Sequence, residues 1–134
     1  MNDFQTLVED RAALLFAETH EVLKPIADHL KMVERRDRDF TGAGFYTTLH
    51  YSKQARPLRF AQEFSFVGGA TGVCNEMPEG FWIGFHMKDG FLTTIEGLAN
   101  EGNWSIASEP ELTMNVAEYE YRYLTEPNLR EDTQ

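Results

Sequence analysis

Residues 80–97 read GFWIGFHMKDGFLTTIEG: two runs of aromatic and β-branched residues, 81–87 and 91–95, around Lys88-Asp89-Gly90. That composition favours strands, and Asp-Gly between two such runs is a hairpin signal. Two registers compete. A loop of Asp89 and Gly90 alone sets Met87 opposite Leu92 and Ile83 opposite Glu96. A loop one residue longer, with Gly90 in the left-handed bulge position, sets Met87 opposite Phe91 and Ile83 opposite Ile95. Only the longer loop keeps Phe81, Ile83, Phe85, Met87, Phe91 and Ile95 on one face, and a one-residue slip would turn half of them to water. The longer loop is therefore the expected register, and it implies a sheet with one buried side.

Upstream of the hairpin the pattern is first helical and then strand-like. Asn2 and Asp3 suit a helix cap ahead of Phe4, with Phe4, Leu7, Val8, Leu14 and Leu15 as its apolar stripe. Pro25 fits the first turn of a second short helix with Ile26, Leu30 and Val33 inward. The run 34–39, ERRDRD, alternates in sign and reads as a solvated connection or an exposed strand start. Residues 45–51 (FYTTLHY) form a strand, and 53–59, with Pro57, a loop. Phe60, Phe64 and Phe66 begin another strand that runs toward Val73 through Gly68-Gly69.

Downstream, 100–103 is a turn by composition. Leu112, Met114 and Val116 alternate in one phase, and Tyr119, Tyr121 and Tyr123 in the other, with a bulge between. Glu118, Glu120 and Arg122 would guard an edge strand, and 127–134 is expected to be a disordered tail. The expected fold is α+β in one domain spanning 1–134: one or two N-terminal helices packed on one face of an antiparallel sheet of roughly four to six strands.

The chain has 134 residues, ten of them Phe, enough to bury roughly two thirds of the unfolded surface around one core. Cys74 is the single cysteine, so no internal disulfide forms. Acidic residues open the chain and its longest early apolar run is 12–17, so neither a secretory signal nor a membrane span is expected, and the expected location is the cytoplasm. Residues 1–67 carry a net charge of −1 and residues 68–134 a net charge of −9. Such a surface repels nucleic acid and anionic membranes.

The motifs with possible chemistry read mostly as structure. Gly42-Ala43-Gly44 is followed by a strand rather than a helix, and its third fingerprint glycine would fall at Thr47. Gly68-Gly69-Ala70-Thr71-Gly72 lacks the lysine and helix of a phosphate loop, so a bend explains it better. His20, His29, His50 and His86 show no helical metal spacing, and no metal or cofactor is expected. Cys74, His86 and Glu96 are the ingredients of an activated thiol, but no basic residue or helix start adjoins Cys74. No catalytic residue is assigned. The hairpin's outer face gathers Trp82, Gly84, His86, Thr94 and Glu96, which is the mixture of a shallow binding groove and equally of a half-exposed sheet face.

The string 42–48 (GAGFYTT), followed by 80–97, resembles a family of small bacterial proteins that carry GxGFxT, a Gly-Phe-rich strand, Asp-Gly and an (Ile/Leu)-Glu-Gly close. Residues 100–104 (NEGNW) stand where that family has an aromatic turn ending in Trp, without its usual Tyr and Pro. Gly42, Gly44, Phe45, Asp89, Gly90, Glu96 and Gly97 match. The family has no settled activity, so the resemblance implies turn and bulge positions rather than catalytic ones.

The function expected from the sequence is a non-enzymatic cytoplasmic protein-binding domain. Its partner is a second copy, giving a homodimer through Tyr119, Tyr121 and Tyr123, or a basic protein neutralised by the acidic half in the manner of an immunity-type inhibitor. The alternative is a small-molecule binder or enzyme using the Trp82/His86/Glu96 face.

Overall fold

The structure, a computed structural model, describes residues 3–58 and 64–115. Helix α1 (Asp3–Ala17) leads through a 3₁₀ turn (Glu21–Leu23) to α2 (Ile26–Leu30). Strands β1 (Val33–Phe40), β2 (Gly44–Tyr51), β3 (Phe64–Cys74), β4 (Met77–Lys88), β5 (Phe91–Ala99) and β6 (Glu111–Met114) follow. They form one antiparallel sheet in the order β1-β2-β5-β4-β3-β6. The α+β class, with N-terminal helices against one face of the sheet, is as the sequence implies. The strand expected over 119–123, the charged residues beside it and residues 127–134 lie outside the described residues, as does Phe60. No helix among the described residues is long and apolar enough to cross a membrane.

The hairpin corrects the expected register. The loop is the shorter one, with Asp89 at φ +53° and Gly90 at φ +86°, and Met87 faces Leu92. Two successive left-handed residues match the twist of the flanking strands, which is why Asp-Gly closes this turn. Beyond it a bulge in β5 shifts the pairing, so His86 faces Thr94, Phe85 faces Ile95 and Ile83 faces Gly97. Thr93 is the extra residue, and its hydroxyl donates to the His86 carbonyl at 3.1 Å. Tyr51 donates to the neighbouring Leu92 carbonyl at 2.6 Å. Phe81, Ile83, Phe85, Met87 and Ile95 are buried as expected, but Leu92 occupies the core place assigned to Phe91.

Helix α1 also presents a different face from the expected stripe. Gln5, Val8, Glu9, Ala12, Ala13, Phe16 and Ala17 are buried, while Phe4 and Leu14 are exposed. The alanines let the helix backbone approach the sheet, and the Phe16 ring stacks on Phe85 with centroids 4.4 Å apart. In α2, Ile26 is buried, and Leu30 and Val33 pack at the margin of the core.

The charged run 34–39 is strand β1 rather than a connection, and its arginines at 36 and 38 turn beneath the sheet. Glu9, fully buried, accepts from Arg36 Nη1 at 2.7 Å, Arg38 Nε and Nη2 at 3.0 Å, Thr47 Oγ1 at 2.6 Å and Gln5 Nε2 at 2.7 Å. Gln5 Oε1 in turn accepts from the Trp104 indole at 2.8 Å. Burial raises the Glu9 carboxyl, but the hydrogen bonds from Arg38, Thr47 and Gln5 outweigh it and hold the group below its ordinary value.

His29 fixes the loop that follows β2. Its ring, 4% exposed, packs beside Tyr51 and Phe91, and Nε2–H donates to the Arg56 carbonyl at 2.5 Å. Nδ1 is buried with no hydrogen-bond partner among the described residues. Burial lowers the imidazole's affinity for a proton, against smaller upward contributions from the Arg56 carbonyl and Asp28.

Two outcomes follow. Glu9→Ala leaves Arg38 without its carboxylate and Arg36 with Asp10 alone, and costs about 3–5 kcal/mol in denaturant unfolding, the range for breaking a buried pair. For His29, the folded state holds its proton less tightly than the unfolded chain, so the stability it contributes is present above 6.5 and is lost as pH falls below that value. Stability should drop by at most about 1.4 kcal/mol per pH unit in that window, the slope for one proton. The slope should flatten in His29→Phe, read by thermal unfolding across the pH series.

Candidate functional site

The helices cover one face of the sheet, and the strand registers lay out the other in rows. One row runs Asp37–Thr48–Thr94–His86 across β1, β2, β5 and β4. The next runs Asp39–Tyr46–Glu96–Gly84, and a third joins Leu98, Trp82, Thr71 and Thr113. The expected group Trp82, His86, Thr94 and Glu96 is therefore brought together, even though the register that suggested it was different. The Thr93 bulge restores the parity that the short loop reverses. Trp82, His86, Thr94 and Glu96 are each partly buried, and Tyr46 and Leu98 are exposed.

At the centre His86 Nε2 lies 2.6 Å from Glu96 Oε1. They reach one another diagonally across the pair of strands, beside Gly84, which carries no side chain to intervene. On the opposite side Tyr46 faces Glu96 across β2 and β5. The nearby carboxylate, by its charge first and as an acceptor second, raises the phenol above its ordinary range. Tyr46 escaped the sequence reading because only the β2–β5 register sets it opposite Glu96.

A second cluster lies at the β1 margin. His50 Nε2 is 2.7 Å from Asp37 Oδ2, and Arg35 Nη2 approaches both at 3.3 Å. The hydrogen bond to His50, with the Arg35 charge behind it, holds the Asp37 carboxyl below its ordinary range. Each cluster supplies one imidazole and one carboxylate, short of the three protein ligands of a typical catalytic zinc site. No group of three or more metal-capable side chains converges among the described residues.

Cys74 does not join His86 and Glu96. It belongs to the helix-side core, faces Met77 at the far end of the β3–β4 hairpin, and its thiol is pushed up by burial. The three ingredients therefore lie on opposite faces. Of the glycines matched by the resemblance, Gly44 and Gly97 are packing positions: a Cβ on Gly44 would stand 2.0 Å from the Gly97 carbonyl oxygen, and one on Gly97 would meet the Phe45 ring at 2.3 Å. Glu96 alone among the matched residues has a functional group on the open face.

A histidine oriented by a carboxylate, with a phenol on the carboxylate's other side, can donate and accept hydrogen bonds toward a bound group. Because the Glu96 charge raises the Tyr46 phenol, Glu96→Gln should bring the Tyr46 titration midpoint down toward an ordinary tyrosine, followed through its ring resonances by NMR. No protein-family model matches the chain, and no curated protein and no solved structure matches it significantly.

Proposed function

We propose that the chain is a non-enzymatic protein-binding domain whose partner lies against the uncovered face of the sheet. The observation that carries this reading is the composition of that face. Tyr46, Trp82 and Leu98 surround the His86–Glu96 pair, and the β1 margin carries Arg35, Asp37 and Asp39. Aromatic anchors with a charged rim are the usual anatomy of an interface. A net charge of −10 favours a basic partner and opposes a second copy of the chain. The self-associating version rests on Tyr119, Tyr121 and Tyr123, outside the described residues. An inhibitor of a basic toxin is the specific form this reading takes, since charge complementarity speeds encounter.

A second reading is favoured by one observation, the His86–Glu96 hydrogen bond with Tyr46 set opposite Glu96: the same face could hold a small polar molecule. A panel of metabolites in a thermal-shift assay separates the two, because a ligand of the native state raises the melting temperature.

Under the leading reading, Trp82→Ala and Glu96→Gln should melt within a few degrees of the parent. Each should release the basic proteins that the parent captures from a native lysate, in a salt-dependent manner. Capture of an unchanged set by both variants would exclude this face.

A further inference from the structure

We propose that the cavity between α2 and the loop 52–58 is a binding site for a small, uncharged and largely apolar molecule. The cavity holds about 440 Å³, within the span of roughly 300–1,000 Å³ common to small-molecule sites. Val22, Pro25, Met32, Pro57 and Leu58 supply its apolar walls, and His29 supplies an imidazole. It lies apart from the open face of the sheet, so it does not depend on the protein-binding reading.

Two features mark it as built rather than as loose packing. Apolar walls normally close on one another, because protein interiors pack to crystal-like density. Here the far wall is clamped in place and still leaves the space. His29 Nε2–H holds the Arg56 carbonyl at 2.5 Å, Leu58 N–H donates to the Gly90 carbonyl at 2.7 Å, and Ala55 N–H donates to Ser52 at 3.1 Å. Gly90 is packed so closely under this loop that a Cβ there would stand 2.5 Å from Pro57 Cβ. A pinned wall removes the cost of ordering the loop when a ligand enters.

Charge selects the class of ligand. Glu21, Asp28 and Arg56 stand at the exposed rim, and Lys24 lies 3.8 Å from Glu21, so an anionic head group finds no excess of positive charge at the mouth to offset its desolvation. A fatty acid is thereby disfavoured, and a neutral alcohol or arylamine of similar size is not.

The probe is N-phenylnaphthylamine, a neutral fluorophore that brightens on leaving water, titrated into the full chain. The expected result is saturable brightening, displaced by decanol and not by decanoate at neutral pH. Val22→Trp and Met32→Trp, which fill the space from two different elements, should each weaken binding by roughly tenfold or more. A thermal melt of each variant shows whether it folds. Amide resonances of the parent provide a measurement independent of any variant: those of 22–32 and 54–58 should move with the probe. Brightening without saturation, equal displacement by decanoate, unchanged affinity in a folded filled variant, or resonance changes confined to the open face would each overturn the assignment.

Discussion

The extra residue at Thr93 is the constraint on which both faces of this sheet depend. Asp89-Gly90 closes the hairpin in two residues, and that loop by itself would place β5 in the opposite phase to the one its sequence requires. The consequence would be severe, because a one-residue slip exchanges the two faces of a strand. Ile95 would turn to solvent and Glu96 would point into the helix-covered core. One bulged residue corrects the phase after Leu92. The bulge is held from two sides, by the Thr93 hydroxyl on the His86 carbonyl and by the Tyr51 hydroxyl on the Leu92 carbonyl. Bulges recur beside binding sites because they re-aim side chains at little cost to the ladder. Here the residue re-aimed is Glu96, and its new neighbours are His86 and Tyr46.

The covered face is organised by a polar group as much as by apolar ones. A buried glutamate is costly unless its charge is matched. Glu9 meets two guanidiniums, a hydroxyl and an amide, drawn from α1, β1 and β2. Such a cluster adds little to net stability compared with apolar packing of equal volume, but only one docking of α1 satisfies all of its members. Phe16 on Phe85 supplies the apolar contact, and Glu9 fixes where along the sheet it is made. Because α1 is fixed there, the opposite face has no helix among the described residues to cover it.

Much of this was legible in the sequence. The hairpin and the odd-numbered core phase of β4 follow from alternation and from Asp89-Gly90, whereas the grouping of Trp82, His86, Thr94 and Glu96 follows from a longer loop that the structure replaces by the short one plus a bulge. The bulge was not legible: its stabilising bonds come from Thr93 and Tyr51, and nothing local marks a threonine between Leu92 and Thr94 as unpaired. The face of α1 was misread because large side chains dominate a hydropathy pattern. The true face is made of alanines, whose merit is that they occupy little space, and of Gln5 and Glu9, whose burial makes sense only once Arg36, Arg38 and Trp104 are near. The charged run 34–39 was ambiguous for the same reason. Its arginines look solvated until a buried carboxylate is placed beneath them.

Function lives in sites rather than in folds, and this chain offers two of different character. The open face is broad, partly polar and carried on paired strands, which suits a surface recognised by another surface. The cavity beside α2 is apolar in its walls, which suits a molecule that enters it. They are linked through Tyr51 and Phe91, which line neither. Tyr51 secures the bulge that aims Glu96, and both rings pack on His29, whose Nε2–H pins the cavity's loop. The packing that fixes the recognition surface therefore also holds the cavity wall. A substitution at Tyr51 would disturb both at once, whereas Trp82 and Val22 each address one site without touching the other.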